Sequence, residues 1–150
     1  MDSSVLEVEY TALGTFDVKY CPNIEKLFIW NTKSILISSY ADYSINIDAI
    51  EEERQIVQEL ENLRKFKNLK AIYFINFCFS KLPESVRDMK NLEVLQIDYY
   101  KHFNAEEKYI KISKFQNLKK LVINTFFLSV EKVNKLKTLL PNVEIFSLMD

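Results

Sequence analysis

The chain carries one histidine and two cysteines, and these are the first residues to test for chemistry. His102 lies in the run Tyr99-Tyr100-Lys101-His102-Phe103-Asn104. Acid–base or nucleophilic work by an imidazole needs a hydroxyl, thiol or carboxylate within reach, and no local motif supplies one. A single His also excludes multi-histidine metal sites. Cys21 stands between Tyr20 and Pro22, and Cys78 between Phe77 and Phe79. Such apolar surroundings mark buried, reduced thiols acting as small hydrophobes, not a disulfide scaffold. The triplet Glu51-Glu52-Glu53 falls in the first turn of a predicted helix, where negative charge favours the helix dipole. One glycine, Gly14, leaves no Gly-rich loop to cradle a phosphate. The expectation is a non-enzymatic protein with no cofactor and no metal.

Charge narrows the partner classes. Lysine and arginine total 20 against 21 aspartates and glutamates, for a net charge of −1. That balance gives no bulk attraction to nucleic acid or to an anionic membrane. The lysines Lys65, Lys67, Lys70, Lys119 and Lys120 are offset by glutamates and read as solvated faces. The start Met1-Asp2-Ser3-Ser4 lacks a basic, apolar leader, and no stretch approaches the ~18 apolar residues of a membrane span. A cytoplasmic location is expected. At 150 residues with 48% hydrophobic composition, one folded domain over 1-150 is expected.

The elements that must position any site come from a repeat. An apolar residue, any residue, Asn and an apolar residue are followed by two further apolar positions in strand alternation. The pattern appears at Cys21-Pro22-Asn23-Ile24 with Leu27 and Ile29, and at Phe66-Lys67-Asn68-Leu69 with Ile72 and Phe74. It returns at Met89-Lys90-Asn91-Leu92 with Leu95 and Ile97, and at Phe115-Gln116-Asn117-Leu118 with Leu121 and Ile123. The last is Leu140-Pro141-Asn142-Val143 with Phe146 and Leu148. The asparagines are 45, 23, 26 and 25 residues apart. The first gap is about two repeats long and is expected to hide an irregular rung, supplied by Ile35 with Ile37 or by Ile45 with Ile47. Asn suits the corner before each strand because it bonds nearby backbone and tolerates the left-handed conformation.

This pattern resembles the leucine-rich repeat family. The best stretch runs from Leu69 through Ile72, Phe74, Phe79, Leu82-Pro83, Val86 and Met89 to Leu92. The likeness is strong over about 66-150, with one good strand motif at 21-30. It implies an α/β fold: a short solenoid with a parallel concave sheet and helices or irregular turns on the convex side. One departure stands out. Where the family places a buried asparagine, this chain has Thr32, Phe77, Tyr100 and Phe126, and aromatic stacking is expected to replace the asparagine ladder.

Between the strands, residues 49 to 66 read as a helix with Ile50, Val57, Leu60 and Leu63 on one face. Asp48 reads as its N-cap, and Glu61 pairs with Lys65 at i,i+4. Residues 84 to 90 and 104 to 114 read as short helical turns. A further helix over 129 to 140 carries Val130, Val133, Leu136 and Leu140 on one face and ends at Pro141. In 1-20, Val5 to Tyr10 and Phe16 to Tyr20 alternate around Gly14. A capping hairpin is the first reading, and a degenerate first repeat with Leu6 and Val8 in its strand is the other.

The resemblance places function on the residues that alternate outward from the strands. They are Phe28 and Trp30, Tyr73 and Ile75, Gln96 and Asp98, Val122 and Asn124, then Ser147 and Met149, beside Lys26, Ala71, Val94 and Lys120. The aromatic half of this face is the type that anchors protein partners. The alternative is that the N-terminal cap or residues 31 to 48 fold over it. The insertion with Tyr99, Tyr100 and His102 is a second, loop-borne recognition candidate. The expected function is binding of an unidentified protein partner through the concave sheet. An inhibitor or immunity protein for a toxin or enzyme is the alternative. Exposure of the last strand's edge would favour self-association.

Overall fold

In the computed structural model of the chain, residues 4–20, 22–31, 47–75, 77, 82–97, 115–123 and 130–147 are described. Short apolar alternations become strands β1 (Val5–Glu9), β2 (Lys26–Trp30), β3 (Ala71–Ile75), β4 (Val94–Ile97), β5 (Lys120–Ile123) and β6 (Glu144–Ser147). They form a six-stranded sheet in chain order, and every pair is parallel. No strand here can bury its apolar face alone, so stacking in register makes the core. Leu6, Leu27, Ile72, Leu95, Leu121 and Ile145 form one row of register partners. From Leu27 to Leu121 that row is fully buried. Each such side chain removed from water contributes about 1.5–3 kcal/mol.

The opposite wall of the core is helical. Helices α1 (Ile47–Leu60), α2 (Glu84–Arg87) and α3 (Val130–Leu139), with a 3-10 turn over Glu61–Lys65, bring Ile56, Leu60, Leu63, Val86 and Leu136 into the same apolar cluster. Val130 departs from the expected apolar face and is 78% exposed, because it sits at the helix's first position. Among the described residues no helix is long and apolar enough to cross a membrane.

The strand entries show why the pattern repeats. The carbonyl of Glu25 accepts from the N–H groups of Lys70 and Ala71, that of Lys70 from Glu93 and Val94, and that of Glu93 from Lys119 and Lys120. The corner asparagines add side-chain rungs. Asn68 Nδ2 donates to the Pro22 carbonyl at 3.2 Å and Asn117 Nδ2 to the Lys90 carbonyl at 2.9 Å. Pro22 and Lys90 each directly precede the asparagine of the rung below, so the corner Asn bonds across rungs. Alternating charges also line the entries, with Lys70 3.3 Å from Glu25 and Lys119 3.0 Å from Glu93. Phe77 is fully buried, edge-on to Tyr10 at 5.8 Å and to Phe74 at 5.3 Å. These ring contacts are to a residue just after the first strand and to one of the third; Thr32, Tyr100 and Phe126, the other positions where aromatic stacking is expected, lie outside the described residues.

The structure also corrects the sequence reading of several elements. The N-terminal segment is not a hairpin. β1 runs parallel to β2, Tyr10–Ala12 and Val18–Tyr20 are 3-10 turns, and Phe16 and Val18 pack on the core. The strand reading with Leu6 and Val8 is the one observed. No rung stands between Asn23 and Asn68, because β2 pairs directly with β3 and Ile47 is helical. The extra length carries α1, while Ile35, Ile37 and Ile45 lie outside the described residues. The last strand is shifted by one residue, since Leu121 pairs with Ile145 and Val122 with Phe146. Ile145 therefore packs on the core and Phe146 is 43% exposed. Finally, the helix over 49–66 begins at Ile47, one residue before the expected cap Asp48, and tightens to 3-10 after Leu60. Side chains three apart eclipse in a 3-10 turn, so Glu61 bonds Arg64 at 2.7 Å instead of Lys65.

Lys65 is not a solvated cation. Its Nζ donates to the carbonyls of Leu13 and Phe16 and lies 5.9 and 5.8 Å from the rings of Phe16 and Phe66. One ammonium thus ties residues 13–16 to the helical wall. Lys65→Met keeps the apolar stem and removes the donors. It is expected to cost about 1–3 kcal/mol and to make the Leu13–Tyr20 segment the first site of limited proteolysis, as peptide mapping of the digest would show. Gly14 needs no special backbone conformation, and a Cβ built there meets Asn62 Nδ2 at 3.5 Å, an ordinary contact. Gly14→Ala is expected to be neutral or to stabilise by about 0.5 kcal/mol through the unfolded chain, read as an unchanged or slightly raised urea midpoint.

Candidate functional site

Strand alternation sends every second side chain of the sheet away from the core. Because the strands are in register, these side chains line up in rows across the sheet. The middle row is Glu7, Phe28, Tyr73, Gln96, Val122 and Phe146. The row toward the strand C-termini holds Glu9, Trp30 and Ile75, and the row toward the N-termini holds Val5, Lys26, Ala71, Val94, Lys120 and Glu144. The structure thus brings Phe28, Trp30, Tyr73, Ile75, Gln96 and Val122 onto one face, as expected. Asp98, Asn124, Tyr99, Tyr100 and His102 lie outside the described residues.

The face is aromatic on its N-terminal side. Phe28 and Tyr73 stack with ring centroids 4.4 Å apart and planes 9° from parallel. Both are half-buried, while Trp30 is 41% exposed. A cross-strand aromatic pair of this kind favours one orientation of both rings. Val122 is only 8% exposed, flanked in its row by the longer Gln96 and Phe146, and offers little contact area. Phe146, which the sequence pattern assigned to the core, joins the face instead. Lys120 Nζ sits 4.5 Å from its ring centroid, a cation–π contact supplied by the chain itself. Only the one-residue shift of β6 reveals this, and Ile145, apolar and adjacent, masked it in the sequence.

Acidic groups border the aromatic side. Glu7 pairs in register with Phe28 and Glu9 with Trp30. Glu7 is exposed. The Glu9 carboxylate accepts from the Thr11 N–H at 2.8 Å and from the Thr11 hydroxyl, which fixes it at the end of the strand. The clear pKa shifts belong to the helical side. Arg54 holds the Glu51 carboxyl below its ordinary value, chiefly by hydrogen bonding. Arg64 is held more basic than usual by hydrogen bonds to Glu61 and Asp88. Two cavities of about 330 and 290 Å³ are lined by helical segments and strand entries, including Ser85 and Asp88 in one and Val18 and Lys65 in the other. Neither involves the outward rows. Among the described residues no group of three or more His, Cys, Asp or Glu gathers to hold a metal ion. The face offers stacked π-surfaces, a carboxylate border and apolar area.

Comparison with known protein families finds no family model that matches the chain, and comparison with curated proteins finds none that matches it.

Proposed function

We propose that this chain is a short leucine-rich-repeat solenoid acting as a non-enzymatic interaction module, and that it docks a protein partner on the concave, outward face of its parallel sheet. The in-register strands, the corner asparagines bonding from rung to rung and the helical wall on the other side support the solenoid. The observation that carries the function is the ordered aromatic surface of Phe28, Tyr73 and Trp30. Large, partly exposed aromatic residues held rigid are the residue class that dominates binding energy at protein interfaces, and a pre-ordered surface loses little entropy on docking.

The test is affinity capture from cells that express the protein, with wild type and the Trp30→Ala/Tyr73→Ala double variant side by side. A partner retained by the wild type is expected to be lost from the variant, which replaces no core-row residue and keeps the wild-type circular dichroism spectrum. Equal capture by both proteins would refute this face as the docking surface.

A further inference from the structure

We infer that the cavity between α2 and the corners before β3 and β4 binds a small organic phosphate monoester with an apolar body; this inference does not depend on the docking face. The cavity measures about 330 Å³, at the lower end of small-ligand sites. Two neighbouring corners bring lysine to it. Lys67 and Lys90 each stand directly before a corner asparagine and both line the cavity. Because Ala71 pairs with Val94, the two lysines hold matching positions in adjacent rungs, whose strands lie about 4.8 Å apart. The matching position is Pro22 in the rung before and Gln116 in the rung after, so this pair of cations is local. Both lysines are exposed, and neither forms an ion pair among the described residues. Arg64 also lines the cavity, but its guanidinium already bonds Glu61 and Asp88, each at 2.7 Å. It therefore neutralises Asp88, the one carboxylate among the lining residues, and is not counted as a donor to a ligand.

Two further polar groups of the same wall lack partners. Asn68 and Asn117 donate to carbonyls of the rung below. Asn91, the corner between them, lines the cavity and forms no side-chain hydrogen bond among the described residues. Ser85 is 1% exposed, and its hydroxyl has no hydrogen-bond partner among the described residues. Two ammoniums, an amide and a hydroxyl are donors, and together they suit an anion with several oxygens. A phosphate monoester carries about −1.5 to −2 charges at pH 7 and three acceptor oxygens. It matches two lysines better than a carboxylate, which brings one charge and two oxygens. The remaining wall is apolar, with Phe66 and Leu69 buried and Met89 half-buried. A hydrocarbon group joined to the phosphate has this surface to lie on.

The full chain, labelled with nitrogen-15, is titrated with phenyl phosphate, phenol and inorganic phosphate and followed by NMR. Phenyl phosphate is expected to move the Asn91 side-chain amide signal saturably and to leave the Trp30 indole signal, on the outward face, in place. Phenol is expected to move neither, and inorganic phosphate to bind at Asn91 about tenfold more weakly for want of an apolar body. Lys67 also lines the second cavity, whereas Lys90 lines only this one of the two. Lys90→Gln is therefore the sharper variant and is expected to weaken phenyl phosphate about tenfold. Lys137→Gln removes the same charge from α3 and is expected to leave the affinity as in wild type. No saturable shift at Asn91, equal affinity in wild type and Lys90→Gln, or equal weakening by Lys137→Gln overturns the inference. Equal affinity for inorganic and phenyl phosphate overturns the apolar body and leaves the anion.

Discussion

Phe77→Ala is expected to cost about 3–5 kcal/mol of folding free energy, measured as a fall in the urea midpoint with an unchanged slope. Phe77 is fully buried and meets Tyr10 and Phe74 edge-on, so truncation removes a large transfer term and both ring contacts, and leaves a cavity. A domain of this size has about 5–15 kcal/mol to lose. Phe77→Leu keeps much of the volume and is expected to cost clearly less. The sharper comparison is Phe77→Asn, which installs the residue that the leucine-rich repeat family, which the sequence resembles, places at the corresponding position. Here the amide would meet aromatic rings, so Asn is expected to destabilise at least as much as Ala. If Asn proved milder than Ala, the aromatic packing around Phe77 would be misassigned.

The second large effect is a contrast between neighbours. Ile145→Asp is expected to destabilise by about 2–4 kcal/mol, because Ile145 packs on the core row beside Leu121. Phe146→Asp, one residue later, is expected to shift stability by less than about 1 kcal/mol, because its ring stands on the outer face. A one-residue slip exchanges the two faces of a strand, so the reverse order of the two variants in urea denaturation would mean that β6 sits in the other register.

That pair also shows where the sequence could be read and where it could not. The strands at Leu27, Ile72, Leu95 and Leu121 are legible because each of these residues lies four positions after its corner asparagine, which selects the inward frame even where the outward residues are apolar too. Around β6 both frames are apolar: Val143 with Ile145, and Phe146 with Leu148. The corner asparagine then decides wrongly, since 24 residues separate Leu121 from Ile145 while 25 separate the asparagines. At the N-terminus, alternation identified Leu6 and Val8 as strand positions but could not say what the strand pairs with. Phe16 and Val18 alternate as a second hairpin arm would, yet they pack inward from a non-strand segment, Val18 at the start of a 3-10 turn. Lys65 had a plausible local partner in Glu61, and only the three-dimensional approach of Leu13 and Phe16 redirects it. Of the face itself, the two register pairs Phe28 with Tyr73 and Trp30 with Ile75 follow from strand alternation. Its acidic border did not, because Glu7 and Glu9 come next to these aromatics only if β1 is a parallel strand.

The central claim, an accessible aromatic face bordered by carboxylates, is tested most directly by quenching the fluorescence of Trp30 in the native protein. A caesium cation and an iodide anion are each compared with their effect on free tryptophan amide. The account predicts red-shifted emission that both ions quench, with caesium gaining relative to iodide because the exposed Glu7 borders this face. Blue-shifted emission that neither ion reaches would contradict it.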